Sequence, residues 1–313
     1  MRMYIPAMGV AESGRRDALL AELREQIVHH ARPDGTTSID GVQLCAADAA
    51  GIPRASTSGT VLAVIAQGSK RLAVGDRIFD YGPGQYLIAS VDLPVTGHYT
   101  RASPDEPALG FGMILRPSAV AALLLDAPRG AAPPPGRPAA APPGIGVADA
   151  SADLLDAVVR MVRLLERPDD RHVLAASIER EILWRLLTGP LAATAWQIGR
   201  ADSTLTHIGR AVRWITDHPS TPFRVETLAG DCGMSASAFH RNFHAVTALS
   251  PIQFQKQIRL QRSRLLLMSG GDDVATVGRR VGYENTSQFS REYRRQFGLP
   301  PGRDAARLRA GRD

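Results

Sequence analysis

The sequence predicts an α+β multidomain chain: an antiparallel β-barrel near the N-terminus, a helical connector, and an all-α C-terminal domain with two helix-turn-helix motifs. Three observations carry that prediction. Short β-branched runs cut by glycine-rich turns fill residues 59–115. A stretch dominated by Pro, Ala and Gly occupies residues 128–146. From Leu205 to Leu308 the pattern is helical with short connections, and one two-helix plan is written twice, about 49 residues apart.

In chain order, residues 18–30 (ALLAELREQIVHH) place Leu19, Leu20, Leu23 and Ile27 at helical spacing and read as an amphipathic helix. The runs TVLAVIAQ, RLAV, RIFDY, QYLIASVDL and ALGFGMIL then read as strands, separated by Gly68-Ser69, Gly75-Asp76 and Gly82-Pro83-Gly84. Together these elements make an N-terminal domain over 1–127. Residues 128–146 can bury little and read as an extended linker. The next segment, 147–200, reads as a helical connector or dimerisation segment: two helices broken near Pro168-Asp169-Asp170, the second ended by Gly189-Pro190.

A chain of 313 residues has room for two cores at roughly 100–200 residues each. The contents of 44% hydrophobic and 22% charged residues exclude wholesale disorder and fibrous repeats. No apolar run approaches the roughly 18 residues of a membrane span. Met1 to Pro6 lacks a basic stretch leading into an apolar one, so no membrane partner and a cytoplasmic location are expected. The thiols Cys45 and Cys232 cannot form a disulfide framework or a four-ligand zinc site by themselves, and read as packing residues. Charge is unevenly placed: residues 201–313 carry 17 Lys and Arg against 10 Asp and Glu, whereas residues 1–200 carry 20 against 21. The positive third is where attraction to phosphate would be useful.

In that third, VETLAGDCGMSASAFHRNF (225–243) reads as a short helix, a turn at Gly233, and a second helix N-capped by Ser235, with small Ala229 where the helices approach. VATVGRRVGYENTSQFSREYRRQF (274–297) repeats the plan, with Gly278 at the small position, Gly282 at the turn, and a helix from about Thr286 that buries Phe289, Tyr293 and Phe297. Between the copies, Ser250-Pro251 starts a helix running to Gly270-Gly271. At roughly 27 Å long, that spacer suits two reading helices set near the ~34 Å repeat of DNA, in successive major grooves.

Ser237, His240, Arg241 and His244 share the polar face of the first reading helix, opposite Phe239 and Phe243; Thr286, Ser287, Ser290, Arg291 and Arg294 mark the second. Arginine can bond two acceptors on a guanine edge, which makes Arg241 and Arg291 the leading base-contact candidates. Ser235, Gln288, Arg294 and Arg295 suit phosphate equally well, a contact that positions without reading sequence.

The runs LAGDCGMSASAFHRNFHAVTALSPIQFQKQIRLQRSRLLL and VGRRVGYENTSQFSREYRRQFGLPP resemble the AraC/XylS family of bacterial transcriptional regulators. The resemblance covers 207–306 and implies a sequence-specific DNA-binding domain. The positions matching Ser237, His240, Arg241, Thr286, Ser287 and Arg291 face bases in that family. One departure is Gly302-Arg303-Asp304, where a tyrosine-arginine pair often follows the final proline; it puts the terminal helix cap in question.

The segment VIAQGSKRLAVGDRIFDYGPGQYLIASVDLPVTG is similar to the cupin-like N-terminal domain of one subgroup of these regulators. Cupin enzymes need a His-x-His pair, a downstream acid and a later histidine to hold a metal. Here His98 stands alone among the strands, and His29-His30 lies on the preceding helix at unsuitable spacing. With no phosphate loop or nucleophile elbow either, neither catalysis, nor a cofactor, nor a metal is expected. Gln67, Lys70, Arg71, Tyr81 and Tyr86 are the polar groups available to a pocket or its rim. The implied partners are double-stranded promoter DNA, a small-molecule effector, RNA polymerase and a second copy of the chain. The rival expectations are a metal-dependent cupin enzyme fused to a DNA-binding module and an architectural DNA-binding protein.

Overall fold

A computed structural model describes residues 7–75, 77–128, 143–199, 204–270 and 272–310. Most of the linker expected at 128–146 therefore lies outside the described residues. The chain groups into two compact units, Met1–Thr206 and His207–Asp313.

The first unit opens with helix α1 (Ala7–His30), longer than the periodic stretch at 18–30 suggests. Its buried stripe of Leu20, Leu23 and Ile27 joins the main core. Nine strands follow among the described residues: β1 (Val42–Ala47), β2 (Arg54–Thr57), β3 (Val61–Gln67), β4 (Ser69–Val74), β5 (Arg77–Tyr81), β6 (Gln85–Ala89), β7 (Pro94–Arg101), β8 (Ala108–Ile114) and β9 (Ile145–Asp149). They form a five-stranded sheet ordered β1-β8-β3-β6-β9 and a four-stranded sheet ordered β2-β7-β4-β5, with every pairing antiparallel. The barrel-like architecture arises because consecutive strands, apart from β4–β5 and β8–β9, pass from one sheet to the other. At the β3–β4 corner, Gly68 has φ +77°, and a Cβ there would sit 2.5 Å from the carbonyl oxygen of Arg101. Only glycine lets the backbone turn so close to a neighbouring strand.

The remaining helices of this unit are α2 (Pro117–Asp126), α3 (Ala152–Arg163), α4 (Pro168–Leu187) and α5 (Ala192–Ile198), with a 3-10 turn at Leu164–Glu166 between α3 and α4. Ser151 caps α3 by accepting the Leu154 N–H at 3.2 Å. Two boundaries differ from the sequence reading. Ile145 and Gly146, assigned there to the linker, begin β9, whose register on β6 runs from Gln85↔Asp149 to Ala89↔Ile145. The backbone groups of this short apolar run find their partners on an otherwise open strand edge. The segment 147–200, expected as a connector, is part of the same core as the sheet. Leu154, Leu155, Val158, Met161 and Val162 of α3 are buried together with Leu23, Leu62, Phe111 and Ile182. Ion pairs add to the join: Arg15–Asp153 at 2.9 Å and Arg163–Glu22 at 2.5 Å link α1 to α3. A helix buried around most of its circumference needs neighbours on several sides, which a spacer lacks.

The second unit is helical throughout: α6 (Thr204–Asp217), α7 (Val225–Asp231), α8 (Ala236–Thr247), α9 (Pro251–Ser269), α10 (Val274–Arg280), α11 (Thr286–Phe297) and α12 (Pro301–Ala310). Ser250 and Gln253 complete a reciprocal capping box at the start of α9. With 19 residues, α9 is about 28 Å long. Among the described residues no helix is long and apolar enough to cross a membrane.

Candidate nucleic-acid interface

Both two-helix units expected from the sequence are formed. In the first, α7 ends at a turn where Gly233 adopts φ +67° and Met234 N–H donates to the carbonyl of Ala229 at 2.9 Å. Ser235 then caps α8 through the Ala238 N–H at 3.3 Å. Phe239 and Phe243 are fully buried, and Phe243 meets Phe254 of α9 edge to face at 5.5 Å. That anchoring leaves Ser235, Ser237, His240, Arg241 and His244 exposed.

The second unit follows the same physics with different caps. Asp273 accepts the Thr276 N–H at 2.6 Å to start α10, and Asn285 accepts the Gln288 N–H at 3.0 Å to start α11. A Cβ on Gly278 would lie 3.1 Å from the Phe289 ring, so a small residue is needed where α10 meets α11. Phe289 and Tyr293 are fully buried and Phe297 packs against their cluster. Thr286, Ser287, Gln288, Arg291, Arg294 and Arg295 are exposed; Ser290 is half-buried.

The two reading helices correspond position by position. The repeat distance is 49 residues through the turn glycines, Gly233 and Gly282, and becomes 50 at the helices, because the second turn is one residue longer. Arg241 and Arg291 thus both stand sixth in their helices, and Ser237 and Ser287 both stand second. Among the described residues no carboxylate lies within ion-pair distance of Arg241, Arg291, Arg294 or Arg295. Other arginines of this unit are engaged: Arg280 pairs with Asp272, Arg279 donates to Thr276, and Arg264 and Arg307 meet Asp304. Gln288 is engaged as well, its amide donating to Glu292 at 3.2 Å. That carboxylate also accepts from Tyr283 Oη at 2.8 Å and Lys256 Nζ at 3.2 Å. Burial works against the charge, but these three donors outweigh it and hold the carboxyl below the usual glutamate pKa.

Two functional supports are absent from the sequence reading. The first is a clamp on α9. Arg259 donates to the carbonyls of Pro219 at 2.6 Å, Gly282 at 3.0 Å and Ser220 at 3.4 Å, while Gln255 donates to Thr221 at 2.7 Å. One helix thereby ties the loop before the first motif to the turn of the second. Gly282 sits inside this clamp at φ +92°, and a Cβ there would lie 2.8 Å from Ser220 Cα. Gly282→Ala should therefore cost more than about 1 kcal/mol, read as a lower denaturant midpoint with an unchanged slope. The second support is Asp304, fully buried in α12. It accepts from Arg264 at 2.8 and 3.3 Å, Tyr293 Oη at 3.0 Å and Arg307 at 3.0 Å. The departure at 302–304 thus supplies an anchor for α12.

In the first unit, Arg71 points outward to pair with Asp80 at 2.6 Å, Gln67 donates to the Pro107 carbonyl at 2.9 Å, and Tyr86 is buried on the helix-facing side of its sheet. Lys70 and Tyr81 line a cavity between the sheets, joined by Tyr99, which the sequence reading omitted. His98 has a buried Nδ1 with no hydrogen-bond partner. His29 and His30 converge with Glu166, their ligand atoms within 4.8 Å of one another. Their spacing along α1 gave no hint of this, because the third group comes from the turn after α3. His30 and Glu166 already pair at 3.2 Å.

Residues 38–194 match the family described as AraC-type transcriptional regulator N-terminus, and residues 228–307 match a helix-turn-helix domain family. The chain is 26% identical over 160 residues to the HTH-type transcriptional activator RhaS of Escherichia coli O1:K1, covering 51% of this chain and 56% of the relative. It is 30% identical over 159 residues to RhaS of Salmonella arizonae, covering 51% of this chain and 55% of the relative. The chain therefore spans about half the length of the curated relatives it matches. In fold it is similar to ToxT from Vibrio cholerae bound to (E)-4-(8-methylnaphthalen-1-yl)but-3-enoic acid, with TM-score 0.52 and 9% identity over 86% of this chain and 100% of that one. A further ToxT crystal structure gives TM-score 0.50 and 10% identity over 85% and 98% of the two chains. At such identities the likeness is one of fold.

Proposed function

The chain belongs to the AraC-type transcriptional regulators, and from that premise we propose that it is a sequence-specific reader of promoter DNA. The observation that carries this is a pair of arginines, without an ion-pair partner among the described residues, at the same step of two reading helices held on one rigid spacer. Arg241 and Arg291 read base edges, supplemented by Ser237, His240, Thr286 and Ser287. Ser235, Arg294, Arg295 and the outer part of Gln288 face phosphate. Two such helices in one chain enter successive major grooves on one side of the duplex.

The N-terminal unit modulates this binding through a small effector in its barrel, without turnover. For the effector to act, it must bind the DNA-competent and incompetent arrangements with different affinity. A second copy of the chain and RNA polymerase are the protein partners of such a regulator, and the chromosome places it in the cytoplasm. RhaS is named a transcriptional activator, which supports a role in transcription, and ToxT is seen with a bound small acid, which supports a small effector.

Selection of bound duplexes from a random pool by the full chain tests the reading, at a stated salt concentration because phosphate contacts make affinity steeply salt-dependent. The expected product is a motif of two short blocks about ten base pairs apart. Flat affinity across unrelated duplexes would overturn it in favour of an architectural role.

A further inference from the structure

The four-stranded sheet sets three polar side chains next to one another. Its register pairs Lys70 with Tyr81 on one side and with Tyr99 on the other, so all three occupy the same face. Opposite them the five-stranded sheet presents Ala63, Gly110 and Gly112, and the missing bulk leaves a cavity of about 180 Å³. A Cβ on Gly110 would already be 3.4 Å from the Tyr99 hydroxyl. The Lys70 ammonium lies 5.3 Å from the Tyr99 ring centre. Among the described residues, no carboxylate lines this cavity and none pairs with Lys70.

Burial lowers the pKa of Lys70, opposed only by the Cys45 thiol. Burial also pushes both phenols above their ordinary pKa, so Tyr81 and Tyr99 remain hydroxyl donors and neither can serve as the counter-ion as a tyrosinate. An unpaired ammonium in such surroundings is costly to keep. Here it faces a space roughly the size of six waters, between two donors, with Val61, Ile65 and Ile114 supplying apolar wall and Gln43, Cys45 and Ser58 uncharged polar wall. A larger cleft of about 570 Å³ in the same unit shows no such bias, since Glu12 and Asp149 offset Arg16 and Arg185 there.

We infer that the barrel cavity binds a small organic anion, a monocarboxylate with a compact apolar body, whose carboxylate is held by Lys70 with the Tyr81 and Tyr99 hydroxyls. This inference deepens the effector reading and rests on it. Arg71, the next residue, takes no part, because successive side chains of a strand face opposite ways.

The test is isothermal titration of the full chain with hexanoate and cyclohexanecarboxylate against their neutral counterparts, hexanamide and cyclohexanecarboxamide. The carboxylates are expected to bind at least about tenfold more tightly than the amides, the worth of a charge-assisted hydrogen bond. Lys70→Met should bring the two classes within about twofold of each other, and Lys70→Arg should retain the preference. Equal binding of acids and amides, a preference that survives Lys70→Met, or no binding by any of the four overturns the anion assignment. Should Lys70→Met fail to fold by circular dichroism, Gly110→Val fills the cavity from the facing sheet; carboxylate binding that persists in it overturns the location. The effector reading fails separately, when no bound probe alters the affinity of the full chain for its selected duplex.

Discussion

Asp304→Ala is expected to destabilise the second unit by about 3–5 kcal/mol, the cost of breaking a buried ion pair and leaving one charge behind. The carboxylate is inaccessible and Arg264 nearly so, with relative exposures of 0% and 12%. After the substitution, the Arg264 guanidinium stays under α12 without its carboxylate partner, beside the Phe297 ring, 4.6 Å away, and the Tyr293 hydroxyl. Tyr293, whose pKa is raised by burial and then by this same carboxylate, also loses the acceptor for its hydroxyl. Hydrogen exchange read peptide by peptide in the full chain should show lost protection across α9, α11 and α12, while α3 and β3 remain protected. Replacing both partners, as Arg264→Met with Asp304→Leu, should recover most of the loss, because an apolar pair leaves no uncompensated charge. Equal stability of Asp304→Ala and the unaltered protein would show that the ion pair adds nothing to the packing of α12.

The second large effect concerns affinity. Arg241→Ala and Arg291→Ala should each weaken binding to the selected duplex by about 1–3 kcal/mol, or roughly fivefold to 150-fold. Each should relax sequence preference in a different block of the motif. The double variant should lose close to the sum, since the sites lie on separate helices with no shared partner. Among the described residues neither side chain makes an ion pair, so melting temperatures should hardly move. Fluorescence anisotropy with labelled duplexes mutated in one block at a time measures all three variants. Loss of preference at the same base pair in both single variants would refute the two-groove arrangement.

The reading helices were legible because their signals are local. Gly233 and Gly282 mark turns, Ser235 supplies a cap, and Phe239, Phe243, Phe289 and Tyr293 return at helical spacing. Strands β3, β4, β5, β6 and β8 were legible for the same reason, as β-branched runs between glycines. Strand β7 was missed because Gly97, His98 and Thr100 dilute its alternation, and β9 because it follows directly on a Pro- and Ala-rich stretch. Supports made by partners distant in sequence leave no such trace. Arg259 reaches carbonyls 40 and 23 positions away, and Arg264 reaches Asp304 40 positions on. In a chain rich in arginine, neither differs from a solvated helix residue until the fold is known. The sequence offers Lys70, Arg71 and Tyr81 alike to a pocket or its rim; strand alternation separates Arg71 from the other two. Tyr99 became visible only with β7.

The pairing of β9 with β6 also determines what happens if the backbone is severed. Strand β9 and helices α3 to α5 enter the first unit after residue 143, yet they share the five-stranded sheet with β1, β3, β6 and β8 and one apolar core with those strands, α1 and α2. A cut between Pro128 and Pro143 is therefore expected to leave two pieces associated without a peptide bond, which size-exclusion chromatography of the nicked chain checks. The second piece carries the whole DNA-reading unit. Supplied separately, such halves would reconstitute by strand addition, so the junction is a natural place to split the gene into complementing fragments.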